Sequence, residues 1–250
     1  MNLSVDIHTA YVICAIQRSG SFLLCEALKN TGLAGMPEEY FLYHEGGENW
    51  ENGWWARQHG VTSRSAFLEL VLAKGTTGNG VFGTKLMWNY FPQVISHFQE
   101  MPAYQGLGAT EILPKLLPNL HYIWIVRHDK VRQAVSWSIA AQTDIYASWQ
   151  AEGKSSPEPV FDFEQIDLLY NLILQGEAGW QAFFESCGVV PLQVVYEKLV
   201  KYYEATALRI LDYLGAAYPP DLLFGERKMK KQATELNERW AVKYRAMKQG

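Results

Sequence analysis

The chain has 250 residues, of which 48% are hydrophobic and 19% are charged, and its formal net charge is −4. These values are ordinary for a globular protein, and one domain spanning residues 1–250 is the simplest expectation. The negative charge argues against a nucleic-acid partner bound through a general basic surface. No apolar run reaches the roughly 18 to 20 residues that cross a bilayer, and the N-terminus has no signal-peptide pattern. We therefore expect a cytoplasmic protein without a membrane partner.

The first predicted strand covers residues 11–16, an apolar and partly β-branched run typical of a strand buried on both faces. A helix is predicted to follow, because apolar residues recur at helical spacing from Leu23 to Leu28, and Thr31-Gly32 supplies a stop. A strand, a short turn and a helix N-terminus direct backbone N–H groups and the positive end of the helix dipole at one point. This arrangement favours an anion.

Arg18 adds a planar phosphate donor to this turn, and Ser19 and Ser21 add hydroxyl groups. The turn departs from the nucleoside-triphosphate pattern GxxxxGK[ST], because Ser21 replaces the lysine and Phe22 replaces the hydroxyl that binds magnesium. A small-molecule kinase is therefore disfavoured, and a nucleotide handled without a metal fits better. An ordinary connection with an exposed arginine is the alternative. The three cysteines are scattered and odd in number, so they indicate core thiols rather than disulfides or a metal site.

Further along the chain, strands are predicted over residues 81–87, 121–126 and 192–196, and helices over 65–72, 130–142, 163–186 and 205–214. This alternation predicts an α/β fold with a parallel sheet and helices on both faces. The stretches 35–55 and 105–119 are expected to be long loops over the carboxyl edge of the sheet, where ligands of such folds bind.

A second anion site is predicted where the strand over residues 121–126 ends. Arg127 lies at that end, and the helix that follows carries Arg132 and Ser136. The latter two are four residues apart and share a helix face, so together with Arg127 they are candidates for holding a second phosphate. An arginine at a strand end also commonly forms a structural ion pair, which is the alternative for Arg127.

Several blocks of the sequence resemble the sulfotransferases that use 3′-phosphoadenosine 5′-phosphosulfate (PAPS), and within them the bacterial trehalose-sulfotransferase-like Stf0 family. The resemblance covers almost the whole chain and follows the family's order. Its blocks are QRSGSFLL at 17–24, TGLAGMPEEYF at 31–41, GTKLMWN at 83–89, RHDKVRQAVSW at 127–137 and KQATELNERWAVKYR at 231–245.

The resemblance implies a P-loop-NTPase-like sulfotransferase fold, a PAPS donor that leaves as 3′,5′-adenosine bisphosphate (PAP), and no metal. The first block resembles the family's 5′-phosphosulfate loop, and the fourth resembles its 3′-phosphate motif. The residues thereby implied in donor binding are Gln17, Arg18, Ser19, Gly20, Ser21, Phe22, Arg127, Ser136 and Lys231, with Lys230 as the equal alternative to Lys231. Arg18 is also the candidate for stabilising the leaving phosphate.

The resemblance further implies a small hydroxylated acceptor, such as a carbohydrate or glycoside, and Glu39 as its general base. Two solvated loop acids, Glu38 and Glu39, are the alternative, and His44 is the fallback base. Lys85 and Trp88 are candidates for acceptor contact, although both residue types at these positions equally suit solvent or core. The family includes dimers, so a homodimer is compatible with the chain.

Phe22 departs from the family pattern, which usually has a threonine there that offers a hydroxyl to the 5′-phosphate. Loss of a hydrogen bond to a charged group costs roughly 1.5–3 kcal/mol, so weaker donor binding is expected and Phe22→Thr should tighten it. A protein that binds the 3′,5′-nucleotide without turnover is the alternative that Phe22 supports.

Overall fold

The computed structural model describes residues 6–41, 54–146, 156–229 and 235–249. Its centre is a four-stranded sheet in the order β2-β1-β3-β4, in which every pairing is parallel. The strands are β1 (Thr9–Ala15), β2 (Val81–Met87), β3 (Leu120–Val126) and β4 (Leu192–Val195). The predicted parallel α/β sheet is confirmed, with strand ends within a few residues of those expected.

Ten α-helices surround the sheet in the described part of the chain. They are α1 (Ser21–Lys29), α2 (Trp54–His59), α3 (Arg64–Gly75), α4 (Phe91–Gln99), α5 (Ala109–Leu116), α6 (Lys130–Thr143), α7 (Phe163–Cys187), α8 (Tyr196–Lys201), α9 (Tyr203–Leu214) and α10 (Glu235–Gln249). A 3-10 turn, Trp88–Tyr90, joins β2 to α4.

Alternate side chains of β1 enter two separate cores, as expected of a strand covered on both faces. Val12 and Cys14 pack with residues of α3 to α7 and α10. Tyr11 and Ile13 pack with α1, α8 and α9 on the opposite face. Helices on both faces are therefore confirmed, and they bury the sheet so that polar side chains can gather only at its edges.

The stretch 105–119 is not the loop that was expected, because α5 occupies most of it. Its two prolines suggested an irregular segment, yet Ile112, Leu113 and Leu116 bury one face of a helix. The Glu111 carboxylate accepts a hydrogen bond from the Gly108 amide at 2.9 Å and so fixes the start of this helix. Tertiary burial therefore outweighs the breaking tendency of Pro114, which lies inside the helix.

Candidate active site

The carboxyl ends of the four strands meet at one edge of the sheet, because all four run in the same direction. The turn formed by residues 16–20 follows β1 at this edge, and α1 begins directly after it. Lys85 lies two residues before the end of β2, while Arg127 and Tyr196 come immediately after β3 and β4. The topology thus brings basic and aromatic residues from distant parts of the sequence to one place.

The turn after β1 has an unusual backbone conformation. Arg18 and Gly20 both have positive φ angles, 62° and 94°, and the Ser19 amide donates to the Ile16 carbonyl at 3.1 Å. A Cβ atom at Gly20 would lie 2.3 Å from the ring of Tyr196. Glycine is therefore required at position 20 for two reasons, the positive φ angle and the lack of room for a Cβ atom beside the Tyr196 ring.

Helix α1 starts at Ser21 with no acidic side chain in its first turn. First-turn amides of a helix have no acceptor within the helix, and the dipole adds positive potential at the same point. Ser21 itself is buried. The start of α1 therefore favours an anion lying against the turn, as the sequence indicated.

Arg18 extends from the turn toward α6. Its Nε donates to Ser136 Oγ at 2.9 Å, and its Nη1 donates to the Tyr146 carbonyl. Burial, reinforced by the nearby positive charge of Arg127, lowers the pKa of Arg18 to about 10. The side chain remains cationic at neutral pH, and a bound anion would relieve the repulsion between the two guanidinium groups.

Arg127 is only 9% exposed, and its Nη1 donates to the Arg18 carbonyl at 3.4 Å. Its guanidinium carbon lies 4.8 Å from the centroid of the Tyr196 ring. Burial lowers the pKa of Arg127, while Tyr196 and Glu197 act in the opposite direction. Within the described residues, Arg127 Nε and Ser19 Oγ are buried and have no hydrogen-bond partner. Two orphaned donors beside two guanidinium groups fit an anion with several oxygens.

Arg132 does not join this group, contrary to the sequence prediction. Asp129, the N-cap of α6, accepts hydrogen bonds from the Arg132 backbone at 3.0 Å and from its Nη1 at 3.0 Å. The Arg132 Nη2 lies 2.7 Å from the Glu238 carboxylate of α10. These two acids bind the guanidinium of Arg132, whereas Ser136 of the same helix face reaches Arg18.

The two adjacent acids after α1 have different partners. Glu38 pairs with Lys29 at 2.5 Å near the end of α1, whereas Glu39 pairs with Lys85 at 2.8 Å. The Glu39 side chain is 18% exposed. Neither acid is an unpaired, fully solvated loop residue, and Glu39 is the one directed toward the strand that borders the turn.

Lys85 is fully buried. Burial disfavours its charge, but the Glu39 carboxylate, assisted by Cys25 and Glu38, raises the pKa of Lys85 above its ordinary value. The Lys85 Nζ also lies 3.9 Å from the centroid of the Phe22 ring. The Glu39 carboxylate and the Phe22 ring thus lie against the ammonium group of Lys85. Contact between Lys85 and the acceptor stays a prediction.

Gln17 supports the turn from the side of β2 and α6. Its Nε2 donates to Asn89 Oδ1 at 2.5 Å, and its carbonyl accepts from the buried side chain of Gln133 at 2.8 Å. Gln133 and Tyr196 did not emerge from the sequence. The sequence signals were weak, because the burial of Gln133 depends on the tertiary fold and Tyr196 was predicted to lie inside the strand that in fact ends at Val195.

Trp88 packs into an aromatic cluster against α7. Its ring centroid lies 5.2 Å from that of Trp180 and 5.8 Å from that of Phe91, and a Cβ atom at Gly179 would overlap its ring at 2.1 Å. These contacts favour the core role over acceptor stacking. His44 and Lys231 lie outside the described residues.

Across the described ranges, no group of three or more histidine, cysteine, aspartate or glutamate side chains could hold a metal ion. All three cysteines are free thiols, and Cys14 and Cys25 are buried. None of the helices in these ranges has both the length and the apolar character to cross a membrane.

Comparison with known proteins identifies the family. The model of the Stf0 sulphotransferase family matches residues 10–247. A trehalose 2-sulfotransferase from Mycobacterium tuberculosis (strain ATCC 35801 / TMC 107 / Erdman) is 29% identical over 255 residues, covering 94% of each chain. A trehalose 2-sulfotransferase from Mycolicibacterium smegmatis (strain ATCC 700084 / mc(2)155) is 29% identical over 267 residues, covering 96% of each chain.

Two solved sulfotransferase domains are also similar. The domain from the curacin biosynthetic pathway has a TM-score of 0.49 and 15% identity, covering 91% of this chain and 81% of its own. The domain from the Synechococcus PCC 7002 olefin synthase has a TM-score of 0.45 and 17% identity, covering 98% and 90%. The family match spans nearly the whole chain, including the turn after β1, and so this protein is a sulfotransferase that belongs to the Stf0 sulphotransferase family.

Proposed function

We propose that this sulfotransferase moves a sulfuryl group from PAPS to a hydroxyl group of a sugar. The observation that carries the proposal is a pair of neighbouring guanidinium groups, those of half-buried Arg18 and buried Arg127, beside the start of α1. Two cations of this kind fit a donor with phosphate groups at both its 5′ and 3′ positions. ATP has no 3′-phosphate to pair with Arg127.

The residues of the turn would hold the 5′ side of the donor. Arg18, the hydroxyls of Ser19 and Ser21, and the first amides of α1 all supply hydrogen bonds to phosphate oxygens. Arg127 and Ser136 would hold the 3′-phosphate. The Nε of Arg127, which has no hydrogen-bond partner among the described residues, would donate to one of its oxygens. Lys231 is proposed as a further contact by the family resemblance alone.

In the transfer step, the acceptor oxygen bonds to sulfur while the bond between sulfur and the phosphate oxygen breaks. The electron pair of the broken bond leaves with PAP, and the charge that grows on its 5′-phosphate meets Arg18 and the amides of α1. These fixed positive groups are the reason that we propose transfer without a metal. The proton of the acceptor hydroxyl passes to the Glu39 carboxylate, which acts as general base.

Glu39 suits this role better than Glu38 does. Its ion pair with buried Lys85 holds a carboxylate next to Phe22, the second residue of α1. Glu38 instead pairs with Lys29 at the far end of the same helix. A base is useful only within hydrogen-bond reach of the hydroxyl that attacks the donor.

A disaccharide of the trehalose type is the proposed acceptor, because both curated relatives are named trehalose 2-sulfotransferases. Acceptor loops vary around a constant donor site, so a different sugar is the first alternative to test.

The test is a transfer assay with radiolabelled PAPS, trehalose, glucose and maltose, each with and without EDTA. We expect a labelled sulfated disaccharide and equimolar PAP, unaffected by the chelator. Sulfation of none of the sugars would contradict the proposed acceptor class, and loss of transfer in EDTA would contradict metal independence.

A further inference from the structure

The ring of Phe22 covers a buried ammonium group next to the proposed base. Lys85 Nζ lies 3.9 Å from the centroid of this ring and 2.8 Å from Glu39 Oε2. Lys85 is completely buried, and its Nζ has this ion pair but no hydrogen bond of good geometry to any described residue. The three side chains come from α1, β2 and the segment between α1 and α2.

Backbone contacts fix the relative position of two of these elements. The Lys85 amide donates to the Glu38 carbonyl at 2.9 Å, and Thr84 Oγ1 donates to the same carbonyl at 3.2 Å. Strand β2 is therefore hydrogen-bonded to the segment that carries Glu39. The Lys85 ammonium is the flexible part of this assembly, since four rotatable bonds separate it from the strand.

A buried ammonium has three N–H donors and is costly unless each direction is compensated. The face of an aromatic ring attracts a cation electrostatically, but it is not an anionic partner that competes with a carboxylate. A threonine side chain at position 22 would offer no such face. Phe22 therefore supplies a contact that the usual residue of the family does not.

We propose that Phe22 is a positioning residue that acts through Lys85. Its ring confines the Lys85 ammonium to the side facing Glu39, and this ion pair in turn holds the Glu39 carboxylate in one orientation for proton transfer. The inference rests on the proposed function, because it assigns a support to the proposed base. On this account, Phe22 lacks the hydroxyl that a threonine would offer to the donor phosphate, but its ring fixes the position of the base.

The test compares two substitutions at position 22. Phe22→Leu removes the aromatic face and keeps an apolar side chain, whereas Phe22→Tyr keeps the face. We expect kcat with trehalose to fall about tenfold in Phe22→Leu and distinctly less in Phe22→Tyr, which keeps the aromatic face over Lys85. The Kd for PAP, measured by calorimetry, should change by the same factor in both variants, since position 22 belongs to the donor loop in each and they differ in the aromatic face over Lys85.

A second readout needs no acceptor. In the protein labelled at its lysines with carbon-13, the Lys85 ε-methylene protons should resonate upfield of the other lysines because they lie over the ring. Lys85→Arg assigns the signal. The upfield shift should persist in Phe22→Tyr and disappear in Phe22→Leu.

An unchanged Lys85 signal in Phe22→Leu would overturn the inference, as would equal kcat values for Phe22→Leu and the wild type. A fall of similar size in Phe22→Tyr would also contradict it. Failure of the wild-type protein to bind PAP would instead contradict the proposed function, so the two failures are distinguishable. If trehalose is not turned over, the signal of Lys85 decides the inference.

Discussion

The two sides of the proposed site are built in different ways. On the donor side, Arg18 and Arg127 follow the ends of two neighbouring strands, and α1 begins directly after the turn that carries Arg18. On the base side, Glu39 is held by Lys85, a residue 46 positions away, and by the ring that covers it. The first side depends on topology, and the second depends on one buried tertiary ion pair.

This difference teaches where each function is vulnerable. Backbone groups and strand ends persist through most single substitutions. Each single substitution on the donor side should therefore remove only part of the affinity for the donor. A buried ion pair fails as a unit when one partner is removed, because the other charge is left uncompensated. Substitutions on the two sides should therefore change donor affinity and turnover separately.

The largest expected effect is that of Glu39→Gln. Loss of the general base should lower kcat about 10²- to 10⁴-fold and leave the Kd for PAP within about twofold. Glu38→Gln is the matched control, since Glu38 carries the same charge as Glu39 but pairs with Lys29. Steady-state assays of both variants with PAPS and trehalose check this. Comparable losses in the two variants would remove Glu39 from the mechanism.

The second effect concerns the 3′-phosphate. Arg127→Gln should weaken PAP binding about 10- to 150-fold, because a hydrogen bond to a charged group contributes roughly 1.5–3 kcal/mol. Affinity for adenosine 5′-monophosphate, which lacks that phosphate, should change little. Arg132→Gln serves as control, since Asp129 and Glu238 already bind that side chain. If Arg132→Gln weakens PAP binding as much, the assignment of the 3′-phosphate to Arg127 is wrong.

A third effect separates strain from contact at the turn. Gly20→Ala places a methyl group 2.3 Å from the Tyr196 ring in a backbone with φ +94°, whereas Gly32→Ala adds one to open space at φ +66°. Positive φ costs a non-glycine residue of order 1–3 kcal/mol, so both variants should lower the free energy of unfolding. Gly20→Ala should lower the free energy of unfolding more than Gly32→Ala does, and it should also weaken PAP binding. Chemical denaturation compares them, and equal losses would argue against the importance of the Tyr196 contact.

The smallest effect combines both sides in one residue. Phe22→Thr restores a hydroxyl toward the 5′-phosphate and removes the ring from Lys85, so the Kd for PAP should fall about tenfold, the lower end of the roughly 1.5–3 kcal/mol of a hydrogen bond to a charged group. The value of kcat should fall at the same time. Calorimetry and initial rates measure the two changes, and a weaker affinity for PAP would contradict the placement of position 22 in the donor loop.

The sequence predicted the donor side largely because its signals are local. An apolar strand that leads into a glycine turn and a helix is visible in the residues themselves, and so is an arginine at a strand end. Arg132 was wrongly predicted for a physical reason. Helical spacing places it on the face of Ser136, but Glu238, 106 residues later, binds it from another helix.

The base side could be named only through family resemblance. Nothing in the local pattern distinguishes Glu39 from Glu38, because their different partners are set by the pairing of β1 with β2 and the path of the chain after α1. The contact of Phe22 with Lys85 joins α1 to β2 across 63 positions and was likewise invisible. Tertiary ion pairs of this kind depend on three-dimensional register, which sequence periodicity does not contain.

The central claim is that half-buried Arg18, buried Arg127 and the start of α1 form a site for a donor with a 3′-phosphate. Calorimetric titration of the purified protein with PAP, PAPS and Mg-ATP, repeated with EDTA, tests it most directly. We predict tight binding of PAP and PAPS that is unaffected by the chelator and much stronger than that of Mg-ATP. Absence of PAP binding, or a preference for Mg-ATP, would contradict the account.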